Sequence, residues 1–298
     1  MNAFQEPMQP FPGLERYAKQ VTLPGHEVRL FLFDTGEAGR TPVLLVHGLG
    51  DEADTWRHIF PLLSSDYRLI APDLPGFGRS DPSARRLTIP YFAGVLWGLL
   101  DHLSLPRAIL VGHSTGAIIA HHMALEQPER VEKLVLVGGS LVASNTRASR
   151  DLLFFLIPIL GEWIYTRLRK DPQAAYRSLE PYYHNFSALP QADRDFLYQR
   201  VNQRVWSDNQ RRGFFSTLRN MARWLPAQQG ALPGRLGQFR GPAEVIWGKN
   251  DQVNSVENAH ALAKLAPSAR LVIVPEAGHN VQQEKPEVIA AAVTGGDA

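Results

Sequence analysis

Residues 108–126 read AILVGHSTGAIIAHHMALE, an apolar run typical of a buried strand that leads directly into a helical pattern. The stretch contains the motif G-x-S-x-G at Gly112, Ser114 and Gly116. Its glycines remove side chains that would collide where a strand and a helix close around a tight turn. We therefore predict that Ser114 stands at the carboxyl edge of a sheet, with the amino end of a helix behind it, where negative charge is favoured.

A serine hydroxyl is nearly inert at neutral pH and needs a base to take its proton. His279 is the best candidate of the ten histidines, because it follows the last predicted strand in the loop PEAGHN and should reach the same sheet edge. Asp251 follows another predicted strand and is expected to orient His279 and to stabilise its charged form. The alternatives are an exposed loop histidine and an aspartate that caps the helix near Ser255.

Negative charge on a substrate oxygen needs hydrogen-bond donors that are already in place. The loop His47-Gly48-Leu49-Gly50 follows a predicted strand, and its glycines leave the backbone open to close approach. We predict the backbone N–H groups of Leu49 and Thr115 as the two donors. His47 and Gly48 are predicted substrate contacts.

The same loop also fits a dinucleotide-binding fingerprint. Gly48, Gly50 and Ala53 match G-x-G-x-x-G/A after a strand, and Asp73 follows roughly twenty residues later. This hypothesis leaves Ser114 and the downstream acid and base unexplained. A hydrolase explains all of them as one site.

Short apolar runs alternate with helical patterns, which predicts an α/β fold with a largely parallel sheet. The predicted strands are residues 28–33, 43–46, 67–71, 108–111, 134–137, 243–247 and 270–274, with a helix at 256–265. Residues 141–235 show no convincing strand, and their apolar residues recur at helical spacing, as in Phe214, Leu218 and Met221. We therefore divide the chain into a core at residues 1–140 and 236–298 and a helical cap at 141–235.

The cap differs from the core in composition. It contains 14 of the 28 aromatic residues and carries +7, from 13 arginines and one lysine against 7 acidic residues, whereas the remainder carries −5. One interpretation is solvated basic helix faces around a small aromatic core. The other is an aromatic lid that recognises apolar or anionic ligands or touches a membrane surface. The predicted substrate contacts are Phe154, Trp163 and Tyr183, and the further pocket candidates are Phe155, Tyr182 and Phe186.

Length and composition exclude several classes of protein. The 298 residues suit one large domain or a core with an inserted lid, and two domains stay open from length alone. A content of 44% hydrophobic and 20% charged residues is ordinary for a globular protein. The absence of cysteine excludes disulfides, iron–sulfur clusters and a cysteine nucleophile, and the net charge of +2 gives no reason to expect nucleic acid. The amino terminus lacks a secretory pattern, and the most apolar run, 152–160, is shorter than the about 20 residues that a bilayer needs. A cytoplasmic location is expected.

Together these motifs make the chain resemble the α/β-hydrolase superfamily, and within it the small serine esterase-like members with a helical cap. The matching stretches are HGLG at 47–50, DLPGFGRS at 73–80, GHSTG at 112–116, WGKND at 247–251 and GH at 278–279. The resemblance implies an eight-stranded, mostly parallel sheet, a cap after the sixth strand, and acyl transfer without a metal or organic cofactor. It also implies Ser114 as nucleophile, His279 as general base and acid, Asp251 as orienting acid, and Leu49 and Thr115 as oxyanion donors.

The resemblance also narrows the chemistry. Similar haloalkane dehalogenases and epoxide hydrolases have aspartate where this chain has Ser114. Members that cleave carbon–carbon bonds in ring-fission products use serine, but they usually carry an aromatic residue after the histidine, where Asn280 stands here. We expect a carboxylic ester hydrolase that acts on small molecules with an apolar group through an acyl-enzyme.

Other functions stay open from the sequence. They are carbon–carbon hydrolysis, a monoacylglycerol or lysolipid hydrolase whose cap contacts a lipid surface, a haloperoxidase-like or perhydrolase enzyme, and a ligand-binding protein that has lost turnover. No nucleic-acid partner and no transmembrane segment are expected. The sequence leaves the oligomeric state undetermined.

Overall fold

A computed structural model describes residues 3–142, 154–236 and 238–296, which form one eight-stranded sheet. The strands are β1 (Ala18–Leu23), β2 (Val28–Asp34), β3 (Thr41–Val46), β4 (Tyr67–Pro72), β5 (Ala108–His113), β6 (Val131–Val137), β7 (Ala243–Gly248) and β8 (Arg270–Val274). They lie in the order β1-β2-β4-β3-β5-β6-β7-β8. Strand β2 runs antiparallel to both its neighbours, and the other neighbouring pairs are parallel. The expected mostly parallel α/β sheet is therefore confirmed.

Helices cover both faces of the sheet. They are α1 (Phe60–Leu63), α2 (Ile89–His102), α3 (Thr115–Glu126), α4 (Leu160–Arg167), α5 (Pro172–Arg177), α6 (Gln191–Trp206), α7 (Asp208–Gln228), α8 (Leu232–Leu236), α9 (Glu257–Leu265), α10 (Val281–Glu284) and α11 (Pro286–Thr294). The last helix ends at Gly295, whose φ of 81° is left-handed and suits glycine. Ile289 and Val293 of this helix are buried in the core.

The sheet separates two apolar layers, and β3 shows how one strand serves both. Leu44 and Val46 pack on one side with residues of α2, α3 and α9. Val43 and Leu45 pack on the other side with residues of α1 and α11. Side chains of a strand alternate between faces, so a strand buried on both faces is apolar throughout. Burial of each such side chain contributes about 1.5–3 kcal/mol, which fixes the register of the central strands.

All seven predicted strands are confirmed, with ends that differ by at most three residues. The predicted helix at 256–265 corresponds to α9. Strand β1 was missed because Lys19 and Gln20 are exposed and only Leu23 is buried. An edge strand has a neighbour on one side only, so it needs little apolar pattern to be held in place.

The chain between β6 and β7 is helical in its described part, where residues 154–236 contain α4 to α8 and no strand. The segment has two small apolar clusters of its own, one around Val201 and one around Leu197. Residues 143–153, which include the start of the apolar run 152–160, lie outside the described residues. The cap limits at 141 and 235 stay a prediction.

In the described part of the chain, no helix combines the length and the apolar character that a bilayer crossing requires. The expected cytoplasmic location stays a prediction.

Ion pairs with the core take up part of the arginine excess of the cap. Arg204 of α6 binds Glu52 at 2.6 Å, and Arg200 lies 3.4 Å from the same carboxylate. A further ion pair has the cation on the core and the anion on the cap: Arg57 binds Asp193 of α6 at 2.5 Å. Glu52, Arg200 and Arg57 are buried, so these charges fix α6 to the loop after β3. Arg200 and Arg204 of α6 therefore form a docking contact rather than a solvated face.

Two histidines of α3 should make the stability of the fold depend on pH. Burial lowers the pKa of His121 to about 3, helped by the charges of His122 and Arg235. Burial and Arg235 likewise lower the pKa of His122 to about 4. Below about pH 6.5 both histidines become protonated in the unfolded chain but stay neutral in the folded chain. The free energy of unfolding therefore falls as the pH drops toward these two pKa values.

The variant His121→Gln should lose less stability on acidification than the wild type. Each histidine that is protonated only in the unfolded chain lowers the free energy of unfolding by at most about 1.4 kcal/mol per pH unit. The variant lacks one of these two histidines. Urea unfolding at pH 7, 6, 5 and 4.5 would measure the difference, with the exposed His260→Gln as control. Parallel stability curves for His121→Gln and the wild type would contradict the buried neutral state of His121.

Candidate active site

Ser114 joins β5 to α3 in a strained conformation. Its φ of 54° and ψ of −117° lie in a region that costs a residue other than glycine about 1–3 kcal/mol. A Cβ on Gly112 would stand 2.3 Å from the carbonyl oxygen of Gly116, and a Cβ on Gly116 would stand 2.1 Å from that of Val46. Both motif glycines are therefore required by the close approach of the backbone. The N–H of Ser114 donates to the carbonyl of Val137 at 2.8 Å, which ties the turn to β6.

His279 and Asp251 form a buried hydrogen-bonded pair. The distance between Nδ1 of His279 and Oδ2 of Asp251 is 2.7 Å. The other carboxylate oxygen accepts the backbone N–H groups of Val253 and Asn254, each at 2.8 Å. A carboxylate can only accept, so Nδ1 carries the proton and Nε2 is left free to accept one. This tautomer is the one that a general base requires.

Two adjacent glycines after β6 bring this pair next to Ser114. A Cβ on Gly138 would lie 3.2 Å from Nδ1 of His279, and a Cβ on Gly139 would lie 2.3 Å from the carbonyl oxygen of Ser114. His113 adds a second link, because its Nε2 donates to the carbonyl of His279 at 3.0 Å and the two rings lie 4.7 Å apart. The structure therefore gathers Ser114, His279 and Asp251 at the carboxyl edge of the parallel strands.

The loop after β3 also reaches Ser114. A Cβ on Gly48 would be 3.2 Å from Cβ of Ser114. Leu49 and Gly50 form the centre of a turn that the N–H of Asp51 closes on Gly48 at 3.3 Å, with Gly50 at a φ of 76° as in a type II turn. Thr115 is the first residue of α3, so its N–H has no acceptor within the helix. The roles of the Leu49 and Thr115 N–H groups as oxyanion donors stay predictions.

The structure places His47 differently from expectation, and a substrate contact by this residue stays a prediction. The side chain is fully buried. Its Nε2 accepts the N–H of Leu74 at 2.9 Å, and its Nδ1 donates to the carbonyl of Gly48 at 2.8 Å. Both ring nitrogens are occupied, so His47 holds the loops after β3 and β4 together.

The dinucleotide hypothesis fails at its acidic residue. Asp73 is fully buried, and its carboxylate accepts the N–H of Ala53 at 2.7 Å and the guanidinium of Arg79 at 2.8 Å. A carboxylate used in this way cannot hold a ribose hydroxyl. Across residues 3–142, 154–236 and 238–296, no three His, Asp or Glu side chains gather as metal ligands would.

The cap covers the site with apolar and aromatic side chains. Phe214 of α7 lies so close to Gly50 that a Cβ there would be 3.1 Å from the ring. Seven residues further on, and so on the same helix face, Met221 accepts the hydroxyl of Thr115 at 3.7 Å. The ring of Tyr182 lies 5.8 Å from that of His279. These contacts make the described roof of the site apolar.

A family model described as alpha/beta hydrolase fold matches residues 41–286. The chain belongs to this family. It is 31% identical over 267 residues to a 2-hydroxy-6-oxo-6-phenylhexa-2,4-dienoate hydrolase of Burkholderia cepacia, with 86% of each chain covered. It is 30% identical over 265 residues to a 2-hydroxy-6-oxononadienedioate/2-hydroxy-6-oxononatrienedioate hydrolase of Cupriavidus pinatubonensis, covering 87% of this chain and 86% of the relative. Among solved structures, a meta-cleavage product hydrolase matches at a TM-score of 0.74 and 25% identity, over 94% of this chain and 97% of that one.

The predicted cap contacts of this hydrolase are placed differently from expectation. Tyr183 is only 2% exposed and donates its hydroxyl to Gln283 at 2.8 Å, so it joins the cap to the core instead of facing substrate. Phe154 and Trp163 are 50% and 52% exposed, and Arg167 covers the ring of Trp163 at 3.9 Å. Their part in substrate binding stays a prediction. The candidate Tyr182, by contrast, contacts His279.

Sequence reasoning missed Phe214 and Met221 as residues of the site. Their helical spacing was visible, and Leu218, one turn after Phe214, is buried. The pattern therefore gave the buried face of α7. It did not say that this face lies over Ser114, because that depends on how the whole helix docks.

A methyl group at the turn should disrupt this hydrolase, whereas the same change elsewhere should be harmless. We expect Gly116→Ala to lower the free energy of unfolding by about 2–5 kcal/mol, because the new Cβ would overlap the Val46 carbonyl. Gly234→Ala is the matched control, since a Cβ there meets no atom of the described residues within 4 Å, and its stability should stay within about 1 kcal/mol of the wild type. Urea unfolding measures both. An unperturbed Gly116→Ala protein would contradict the close approach.

Proposed function

We propose that this hydrolase attacks a carbonyl carbon with Ser114. The observation that carries the proposal is the His279–Asp251 hydrogen bond, packed through Gly138 and Gly139 against the Ser114 turn. Oγ of Ser114 bonds to the carbonyl carbon while its proton passes to Nε2 of His279. The carbonyl oxygen becomes an oxyanion, and the N–H groups of Leu49 and Thr115 are the proposed donors to it.

The second half of the reaction uses the same groups. The leaving group departs with the proton held on His279, which leaves an acyl group on Ser114. Water then loses a proton to His279 and adds to the acyl carbon. The bond from that carbon to Oγ breaks as His279 returns the proton to Oγ, which releases the acid and restores Ser114. Asp251 keeps the imidazole in the required tautomer throughout.

The substrate that we propose first is a ring-fission product cleaved at a carbon–carbon bond. Two relatives that are 30–31% identical over most of both chains carry names of this activity. A carbon leaving group needs its electron pair delocalised, and the keto form of a 2-hydroxy-6-oxo-dienoate provides this through a second conjugated carbonyl. The aromatic residue expected after the histidine is replaced by Asn280, but Tyr182 supplies a ring 5.8 Å from His279.

A carboxylic ester is the second candidate, and the charges around the site favour it. A dienoate carries a carboxylate that needs a cation, whereas the described roof residues Phe214, Met221 and Tyr182 are uncharged. Arg204, on the helix before α7, is bound to Asp51 and Glu52. An ester with an apolar acyl group needs no cation in such a site.

Steady-state kinetics on a matched panel would separate these substrates. We expect kcat/KM for 2-hydroxy-6-oxo-6-phenylhexa-2,4-dienoate to exceed that for p-nitrophenyl butyrate by at least about tenfold, a difference of about 1.4 kcal/mol in transition-state binding. The reverse order would favour the ester. A long-chain monoacylglycerol, assayed below and above its micelle concentration, belongs in the panel. A steep gain on micelles would favour the lipid-contact alternative.

Replacement of the proposed nucleophile or of the orienting acid should greatly lower turnover without unfolding the protein. We expect Ser114→Ala and Asp251→Asn to lower kcat by about 10³-fold or more, since the first removes the attacking oxygen and the second upsets the His279 tautomer. The surface variant Ser65→Ala is the control, because within the described part of the chain the hydroxyl of Ser65 bonds Asp66 alone. Near-normal turnover in Ser114→Ala would refute the proposed function.

A further inference from the structure

Two loops of the core that lie beside Ser114 are joined to each other by hydrogen bonds. The loop after β3 contains Leu49 and Gly50, and the loop after β4 runs from Asp73 to Ser80. They are joined by the hydrogen bond from the Leu74 N–H to His47 and by the Asp73 carboxylate, which accepts the N–H of Ala53 at 2.7 Å. Any group that holds both loops therefore also holds the turn that presents the Leu49 N–H.

One cap side chain bridges these loops. Gln210, in the first turn of α7, is buried at 1% exposure. Its Nε2 donates to the carbonyl of Gly50 at 2.9 Å, and its Oε1 accepts the N–H of Gly78 at 2.8 Å. A carbonyl can only accept and a backbone N–H can only donate, so these partners fix the orientation of the amide. Both ends of the amide are thus used on the core.

The helix that carries Gln210 is itself closely docked. A Cβ on Gly213, one turn further on, would stand 2.4 Å from the carbonyl oxygen of Gly76, so the helix backbone touches the loop after β4. The hydroxyl of Ser207 caps the helix by accepting the N–H of Gln210 at 3.2 Å. The backbone that carries the side chain of Gln210 is therefore held in place.

The Gly50 carbonyl is sensitive to its partner. Gly50 holds a left-handed φ of 76° in the turn closed by the Asp51 N–H on Gly48. Leu49 is the preceding residue of the same turn, so the direction of its N–H depends on the geometry of that turn. Loss of the Gln210 bond would leave a carbonyl without that donor and would free the peptide that fixes the turn.

A second cap residue holds the next part of the same loop. Arg204 of α6 binds Asp51 and Glu52, and although burial opposes it, the charges of Arg204 and Arg200 lower the pKa of Glu52 to about 2. The loop after β3 is therefore bound by one residue of α6, Arg204, and by one residue of α7, Gln210. The core alone does not supply these contacts.

We propose that Gln210 is a positioning residue, which sets the oxyanion turn through Gly50 only while α7 is docked on the core. This inference rests on the proposed function. It assigns to the cap a part in catalysis besides that of covering substrate, because the charge-stabilising donor is correctly aimed only in the docked state. A displacement of a catalytic group by about 1 Å costs about 10²-fold in rate, and loss of an oxyanion donor costs about 10²–10³-fold.

Two substitutions test the bridge against a matched control. Gln210→Met keeps the length and removes both hydrogen bonds, and Gln210→Glu keeps the acceptor for Gly78 but loses the donor to Gly50. Asn209→Ala is the control, because Asn209 lies on the same turn and, among the described residues, its side chain bonds the Ser80 carbonyl alone, at 3.3 Å. Active sites are counted with a fluorophosphonate, and kcat is expressed per labelled site, so that a loss of folded protein does not appear as a loss of rate.

We expect both Gln210 variants to lower kcat by about 10–100-fold with KM within about twofold of the wild type, on whichever substrate the wild type turns over. The inhibition constant of phenylboronic acid should rise by the same factor. In that complex Oγ of Ser114 bonds to boron, its proton passes to His279, and a boronate oxygen occupies the oxyanion position. Asn209→Ala should match the wild type.

Unchanged kcat per site and an unchanged inhibition constant in both Gln210 variants would overturn the inference, even if their melting temperature fell. A rise in KM alone would also overturn it, because that would indicate substrate binding. If the wild-type protein neither turns over a substrate nor takes the label, the proposed function fails first, which separates the two failures.

Discussion

The structure depends on the backbone contacts that force Ser114 into a left-handed φ. Such a conformation persists only where its surroundings over-determine it. Here Gly112, Gly116 and Gly139 let three backbone segments approach within distances that no Cβ tolerates, and the hydrogen bond to Val137 anchors the turn. The strands bring these segments together because β3, β5 and β6 are parallel neighbours whose carboxyl ends share one edge. The sheet therefore holds the Ser114 turn at the edge where the His279–Asp251 pair also lies.

A second constraint joins the cap to this centre. Buried charges dominate it, since Glu52, Arg200 and Arg204 form a group in which each charge depends on the others. The removal of one member of a buried pair costs about 3–5 kcal/mol, because an uncompensated charge is left behind. The opposite net charges of cap and core, which looked like a sign of an anionic ligand or a membrane surface, thus have in part a structural cause. The aromatic side chains of the cap have three environments: Phe214 and Tyr182 lie at the roof of the site, Tyr183 is buried against the core, and Phe154 and Trp163 are exposed.

The sequence was most informative where the constraint is local. The motif around Ser114 could be interpreted because its glycines and serine are adjacent, and the central strands could be found because both of their faces are buried. Strand β1 was not predicted because it lies at an edge of the sheet. In the cap, Tyr182 and Tyr183 are neighbours with opposite environments, and no pattern distinguished the ring beside His279 from the one buried against Gln283. Gln210 gave no signal at all, because its two partners lie more than 130 residues away.

The central claim is that Ser114 is an activated nucleophile, and site-resolved labelling tests it most directly. The protein would be treated with a fluorophosphonate and digested with trypsin, and the fragment of residues 108–130 would be examined by mass spectrometry. We expect the phosphonyl mass on Ser114 in the wild type and a large loss of labelling rate when His279 is replaced by alanine. An unlabelled fragment, or a rate that does not depend on His279, would contradict it.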